Sequence, residues 1–292
     1  MSDLENFWQR YPKRYRTTQK GESIFSLHPR LRSVHEDMLP QHFFPVVGRV
    51  KRFVPYTNSK VPDPYIAEYA ETFNIQSSPL WGIPKLNEAA LYKSLAKYAK
   101  SDIALGEQDE RDFLLAVQWM SQHFRPHMME SGISSIEEAI AKTDLSKSPG
   151  VPFSSTYSTK GEVFEKDPNF ITFLEEDWNL LAKDENYTFI GTVSLKEEIR
   201  PRDKIQRNSI RTFVGFPLDA TIHGGRLYGP MNQAFYDSHL ATASAVGINP
   251  ISTDWDNLIT KLMRHPNAYA LDESEYDSSL FASLMWAIAK FR

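Results

Sequence analysis

Sixteen residues, Lys196 to Arg211, constrain this chain more than any other stretch. They read Lys-Glu-Glu-Ile-Arg-Pro-Arg-Asp-Lys-Ile-Gln-Arg-Asn-Ser-Ile-Arg, with six basic and three acidic side chains. The basic positions recur at short, irregular intervals that fit neither a helical stripe nor a half-buried strand. The segment must therefore fold as a loop, and cations spaced this way suit a grip on several phosphates at once. The plainer alternative is a solvated hairpin with internal Glu–Arg pairs, each contributing little. Roughly sixty residues later comes Tyr269-Ala-Leu-Asp272-Glu-Ser-Glu-Tyr-Asp277. There an apolar run, Ala268 to Leu271, reads as a short buried strand that ends in Asp272, and a second aspartate follows five residues on. A carboxylate at the end of a buried strand is rigidly aimed, as a Mg²⁺ site requires. Two aspartates at this spacing also occur as ordinary surface residues. A phosphate clamp followed by a metal-type carboxylate points to nucleotidyl transfer, in which two divalent ions activate a hydroxyl and steady a leaving pyrophosphate.

The 292 residues suffice for one large or two ordinary domains with a sizeable core. The formal net charge of -4 excludes a simple basic nucleic-acid coat, but it conceals an asymmetry. Up to Arg52 there are ten Lys/Arg against five Asp/Glu, while the middle of the chain is acidic. That pattern fits an enzyme with a local nucleic-acid channel, or simply a solvated basic terminus. With no cysteine, disulfide frameworks, thiol nucleophiles and cysteine zinc sites are excluded. No signal peptide opens the chain, and no apolar run is long enough for a membrane span.

Residues 1–64 read as irregular and extended, punctuated by seven prolines from Pro12 to Pro64. Helical spacing is expected over Leu86–Lys100 and Glu107–Met129, with Pro126 kinking the second helix. Ser134 or Ser135 should cap a short helix through Ala141. Ser146–Thr159 is a loop, Phe170–Lys183 a helix and Tyr187–Leu195 a strand. Beyond the basic loop, Thr212–Phe216 reads as a strand, and helices are expected over Gly224–Leu240, Trp255–His265 and Leu280–Arg292. No Gly or Asn stop signal follows that last helix, so the chain reads as an N-terminal fragment.

Within the Ser146–Thr159 loop, Ser148-Pro-Gly150-Val-Pro152-Phe153 forms a tight turn in which Gly150 lets backbone amides approach a nucleic-acid backbone. An ordinary surface turn would look the same. His123 and His127 lie one helical turn apart but have no acidic partner, so they read as plain surface residues. Ser154, Ser155 and Ser158 lack a nucleophile elbow. The aromatic opening with Phe7, Trp8, Tyr11 and Tyr15 reads as an anchoring segment before a base-stacking one.

Taken in order, these elements resemble the viral RNA-dependent RNA polymerases of the picornavirus-like group. That family guides its template with a Ser/Thr-x-Gly-x-Pro-aromatic loop, which Ser148 to Phe153 is similar to. Its Lys-Asp-Glu-Leu-Arg loop, with a further Lys and Arg downstream, matches Lys196, Arg200, Lys204 and Arg211. Ser244 to Pro250, followed by Trp255, is similar to the segment before the first palm strand, and Asp272 to Asp277 fits the first palm motif. The resemblance implies a right-hand polymerase of α/β (α+β) class, with an extended fingertip segment (1–64), fingers (65–225) and the start of the palm (226–292). By the same resemblance Asp272 is a ligand of Mg²⁺ or Mn²⁺, and Asp277 senses the ribose 2′-hydroxyl. Arg211 holds the incoming triphosphate, and Lys196, Arg200 and Lys204 line the nucleotide and RNA tunnel. Ser148, Gly150 and Pro152 contact the template, while Glu198 pairs with a neighbouring cation and orients the loop.

The implied partners are RNA template and primer, nucleoside triphosphates and other viral replication proteins. The implied setting is the host cytoplasm, in viral replication complexes. Ser209 stands where picornaviral enzymes often carry Lys, and Glu273 and Glu275 make the turn unusually acidic; these departures point to a more distant, astrovirus-like relative. No Gly-Asp-Asp hairpin follows Asp272 in this sequence, so the polypeptide is expected not to polymerise RNA by itself. Two other readings stay open: a non-catalytic RNA-binding module, and a reverse transcriptase-like enzyme, which Asp277 argues against.

Overall fold

The computed structural model describes residues 64–76, 79–98, 103–128, 132–183, 189 and 191–291. Expectations for residues 1–63 fall outside them. The chain is a predominantly helical α+β fold that divides into two compact units. The first draws its described residues from 1–100, 150–156 and 190–216, and the second from 101–149, 157–189 and 217–292.

In the first unit, α1 (Pro64–Thr72) precedes a two-residue strand β1 (Trp81–Gly82) and helix α2 (Glu88–Ala96). Asn87 starts α2 as its N-cap, its side-chain oxygen accepting the Ala90 N–H at 2.9 Å. Two strands follow the second unit's insertion: β2 (Thr192–Leu195) and β4 (Thr212–Gly215) pair antiparallel, with Leu195 opposite Thr212 and Thr192 opposite Gly215. Between them lie β3 (Arg200–Pro201), which pairs with β1, and the short helix α7 (Arg202–Gln206). The basic segment is thus the connection of a hairpin, as its irregular spacing predicts. Helix α2 packs on that hairpin, and Ala90, Tyr92 and Ile210 are buried in this unit.

The second unit holds α3 (Glu107–Phe124), α4 (Ile136–Ala141), α5 (Lys160–Lys166), α6 (Phe170–Leu181) and the long α8 (Leu218–Asp237). Pro126 does not kink α3 but ends it, and residues Arg125–His127 tighten into a 3₁₀ turn. Ser135, one of the two expected caps, forms a full capping box. Its hydroxyl accepts the Glu138 N–H, and the Glu138 carboxylate accepts the Ser135 N–H. Phe170, Leu174, Val163, Leu218 and Ile222 make a solvent-free core where α5, α6 and α8 meet.

Helix α8 runs unbroken through Pro230, which removes one helical N–H and leaves the carbonyl of Arg226 without its usual donor. The Ser134 N–H supplies the missing bond at 3.0 Å, and the Arg226 Nε–H returns one to the Ser134 carbonyl at 3.1 Å. A neighbouring segment therefore offsets the proline. The helix also starts earlier than its pattern suggests, because Pro217 sits at its N-cap and Leu218, Asp219 and Ile222 are buried along its first turns.

The C-terminal part of this unit comprises α9 (Asp254–Leu262), α10 (Tyr276–Ser279) and α11 (Ala282–Phe291). Here one expectation fails. Ala268 to Leu271 is neither strand nor buried: it is unpaired chain, with Tyr269 88% and Leu271 91% exposed. A strand exists only when its backbone groups find a ladder partner. Among the described residues none pairs with 268–271. The apolar run signals that the segment calls for cover, but cannot supply it. Among the described residues, no helix is long and apolar enough to cross a membrane.

Candidate functional site

Four of the predicted site residues lie in the hairpin connection, and three of them converge on a single acceptor. Arg211 donates to Glu198 through both Nε (2.6 Å to Oε1) and Nη2. Arg200 Nη1 donates to the same carboxylate at 2.7 Å, and Lys196 Nζ lies 3.5 Å from it. The Arg211 guanidinium, chiefly, and then that of Arg200 pull the Glu198 carboxyl down to about 2 against its partial desolvation. The expected pairing of Glu198 with a neighbouring cation is therefore present, and one carboxylate serves three cations. The set keeps an excess of positive charge, and the buried Nε of Arg200 has no hydrogen-bond partner. Planar guanidinium groups gathered and held on one anionic point are suited to phosphate oxygens.

Lys204 stands apart, exposed on α7. On the same turn, Arg207 pairs with Asp203. Helix α2 fixes the far side of the loop. Lys93 Nζ donates to the Arg207 carbonyl at 2.6 Å, Asn87 Nδ2 donates to Asn208 Oδ1 at 3.1 Å, and the Ser94 and Thr212 hydroxyls are 3.1 Å apart. Asn208 takes the left-handed conformation at φ 53°, which asparagine tolerates and which reverses the chain after α7. None of these buttresses stood out in the sequence. They join residues more than a hundred positions apart, and no local spacing marks them.

The Ser148–Phe153 turn is compact from Gly150 onwards, the part that lies in the first unit. Gly150 has φ 71°, the conformation that glycine adopts without steric cost, and its carbonyl accepts the Ser154 N–H at 2.8 Å. The Pro152 carbonyl accepts both the N–H and the hydroxyl of Ser155. Pro152 and Phe153 are buried and anchor the turn, while the Ser148 side chain is exposed. In the second unit, the flanking chain closes on itself through Lys160 N–H to Lys147 O (2.8 Å) and Gly161 N–H to Leu145 O (3.0 Å).

Asp272 and Asp277 lie in the second unit, and both are exposed. Asp277 Oδ1 accepts the Ser278 N–H at 3.0 Å, in a turn built on Glu275 at φ 55°. Asp272 belongs to the unpaired stretch described above. Among the described residues, no three His, Asp or Glu side chains assemble around a common point. Asp272 has the hard oxygen donors a divalent ion takes, without a finished cage.

His123, expected as a surface residue, is partly exposed, and its Nε2 accepts the Ala243 N–H at 3.1 Å. A further pair escaped the sequence altogether. His223 on α8 meets Asp177 on α6 at 2.9 Å, both fully buried, beside a Trp178 ring that carries the Arg226 guanidinium 3.9 Å from its centre. A His and an Asp that are 46 positions apart give no periodic signal.

Comparison with known proteins identifies the family and the fold. The family described as viral RNA-dependent RNA polymerase matches residues 7–292. The genome polyprotein of tobacco vein mottling virus is 27% identical over 85% of this chain, and that of Salivirus A is 28% identical over 67%. In each case the chain spans 8% of the polyprotein's length. Among solved structures, the Sicinivirus 3Dpol RNA dependent RNA polymerase superposes with a TM-score of 0.59 at 21% identity, over 73% of this chain and 47% of its own. At that identity the match establishes the fold.

Proposed function

Because this chain belongs to the viral RNA-dependent RNA polymerase family, we propose that its basic hairpin binds the triphosphate of an incoming nucleotide during templated RNA synthesis. The reaction is attack of an RNA 3′-hydroxyl on a nucleoside triphosphate, with release of pyrophosphate. The observation that carries this reading is the convergence of Arg211, Arg200 and Lys196 on one anionic point. A triphosphate offers that array more negative charge than a single carboxylate does. Arg211, which binds its acceptor through two nitrogens, holds the phosphates in register, and Lys204 contributes charge along the nucleotide and RNA path.

Asp272 supplies the carboxylate for Mg²⁺ or Mn²⁺; the ions, when bound, activate the attacking hydroxyl and neutralise the departing pyrophosphate. Asp277 reads the 2′-hydroxyl that marks a ribonucleotide. Ser148, which is exposed, and Gly150 and Pro152 belong to the template-guiding turn. The same reading gives the parent protein RNA template, primer and other viral replication proteins as partners, and the host cytoplasm as its setting.

The test is RNA binding by the purified chain across a salt series. Contacts that are mainly to phosphate weaken steeply with salt. Arg211→Ala and Lys204→Ala should each lower affinity and reduce the slope by about 1. Unchanged affinity and slope in both variants would remove the clamp assignment.

A further inference from the structure

The residues between α8 and α9 form a loop that three side chains from neighbouring elements hold by its backbone. Lys261 on α9 donates to the carbonyls of Leu240 (2.7 Å) and Thr242 (2.6 Å). His123 on α3 accepts the Ala243 N–H, with its ring stacked on Trp119 at 5.1 Å and 10° between planes. Asp254, at the start of α9, accepts the Asn249 N–H at 2.8 Å. The loop has no slack at Gly247, where φ is 105° and an added Cβ would lie 2.7 Å from the Tyr236 carbonyl.

Two histidines meet this loop, and their chemistry is opposite. An imidazole nitrogen accepts a hydrogen bond only while it carries no proton. His123 therefore holds the Ala243 N–H only when Nε2 is bare, since a proton there would set N–H against N–H. His239 donates from Nδ1 to the Tyr236 carbonyl at 2.6 Å, which leaves its Nε2 as the titrating atom, 3.6 Å from Asp254 Oδ2. The Asn249 N–H, followed by the Ser252 hydroxyl, keeps Asp254 below the usual carboxylate range, so it stays ionised across the imidazole range. A proton on His239 Nε2 thus creates an ion pair where His123 would lose a bond. Other charged or titratable groups near the loop include Lys261 and Asp256 on α9, Asp237 at the end of α8, where it accepts from Gln233, and Lys142, Arg125 and His127. The chain from Leu240 to Gly247 has no charged side chain of its own.

We propose that the loop 238–254 is a pH-sensitive joint: neutral His123 holds its first half, and protonated His239 holds its second half through Asp254. Acidification releases the Ala243 amide from α3 and tightens the loop against the start of α9. This device is independent of the phosphate clamp, since no residue of the hairpin takes part.

Hydrogen exchange of the purified chain, followed from pH 8 to pH 5 and corrected for intrinsic rates, tests it. That window spans the ordinary titration of imidazole. Protection of the Ala243 amide should fall about fivefold on acidification, the scale of one hydrogen bond, while the Ile222 amide inside α8 keeps its protection. His123→Gln, whose amide oxygen accepts at any pH, should keep Ala243 protected at both ends. His123→Phe, which keeps the stack but has no acceptor, should leave it unprotected at both. His239→Asn should leave the Ala243 response intact. Protection that ignores pH in the unmodified chain, or a response that survives His123→Gln or vanishes in His239→Asn, overturns the proposal.

Discussion

The basic hairpin and the acidic stretch around Asp272 are the two regions that the sequence marks most strongly, and they differ in how complete they are. In the hairpin, three cations share Glu198 and helix α2 braces the far side, so the geometry is set without any ligand. Asp272 and its preceding apolar residues have no such support. They stand exposed on unpaired chain, and among the described residues no cluster of three His, Asp or Glu side chains forms there. The difference shows that a site which carries its own counter-charge can be preorganised by its local sequence. A lone carboxylate meant for a metal depends on whatever fixes the backbone beneath it.

The largest effect that could break this comparison concerns triphosphate binding. Arg211→Ala should cost about tenfold to a hundredfold in affinity for a non-hydrolysable nucleoside triphosphate, the scale of a lost charge-assisted bond. In metal-free buffer, Asp272→Ala should change that affinity less than about twofold, as expected of a surface carboxylate outside the grip. Titration calorimetry reads both, and equal losses would erase the distinction.

A smaller effect concerns stability. Glu198→Gln should destabilise the fold by about 1–2 kcal/mol, because it leaves three clustered cations without their shared charge. Asp272→Asn should lie within about 0.5 kcal/mol of the parent. Denaturant unfolding separates the two.

The smallest effect sharpens the comparison through pH. The Glu198 carboxyl titrates lower in the folded chain (about 2) than the ordinary glutamate value of 4.5. Its contribution is therefore fully present above about pH 4.5 and is lost as the pH falls towards 2. Across that acid window the unmodified chain should lose more stability than Glu198→Gln does. Parallel curves for the two would mean that the carboxylate is not the hub of the loop.

Much of the local structure was legible beforehand. The capping box at Ser135 and Glu138, the helical run of α6 and the loop character of Lys196–Arg211 are written in short-range patterns, because capping and periodicity act over one or two turns. Boundaries were less legible where a proline acted. Pro126 ended α3, while Pro230 did not end α8, and the difference lies in Ser134, 92 positions from Arg226, which satisfies the carbonyl that Pro230 leaves free. The strand expected at 268–271 is absent for the same kind of reason: its residues are apolar, but a strand also needs a partner.

By itself, then, the sequence determined most of the helices, the run of cations from Lys196 to Arg211, the aspartates at 272 and 277, and the family those motifs belong to. Only the tertiary structure decided that one carboxylate serves three cations, that α2 braces the loop, that His123 grips Ala243, and that His223 and Asp177 are buried together. Caps, turns and charge spacing are settled by neighbours along the chain. Hydrogen bonds between distant residues depend on packing, which brings together side chains that no spacing in the sequence relates.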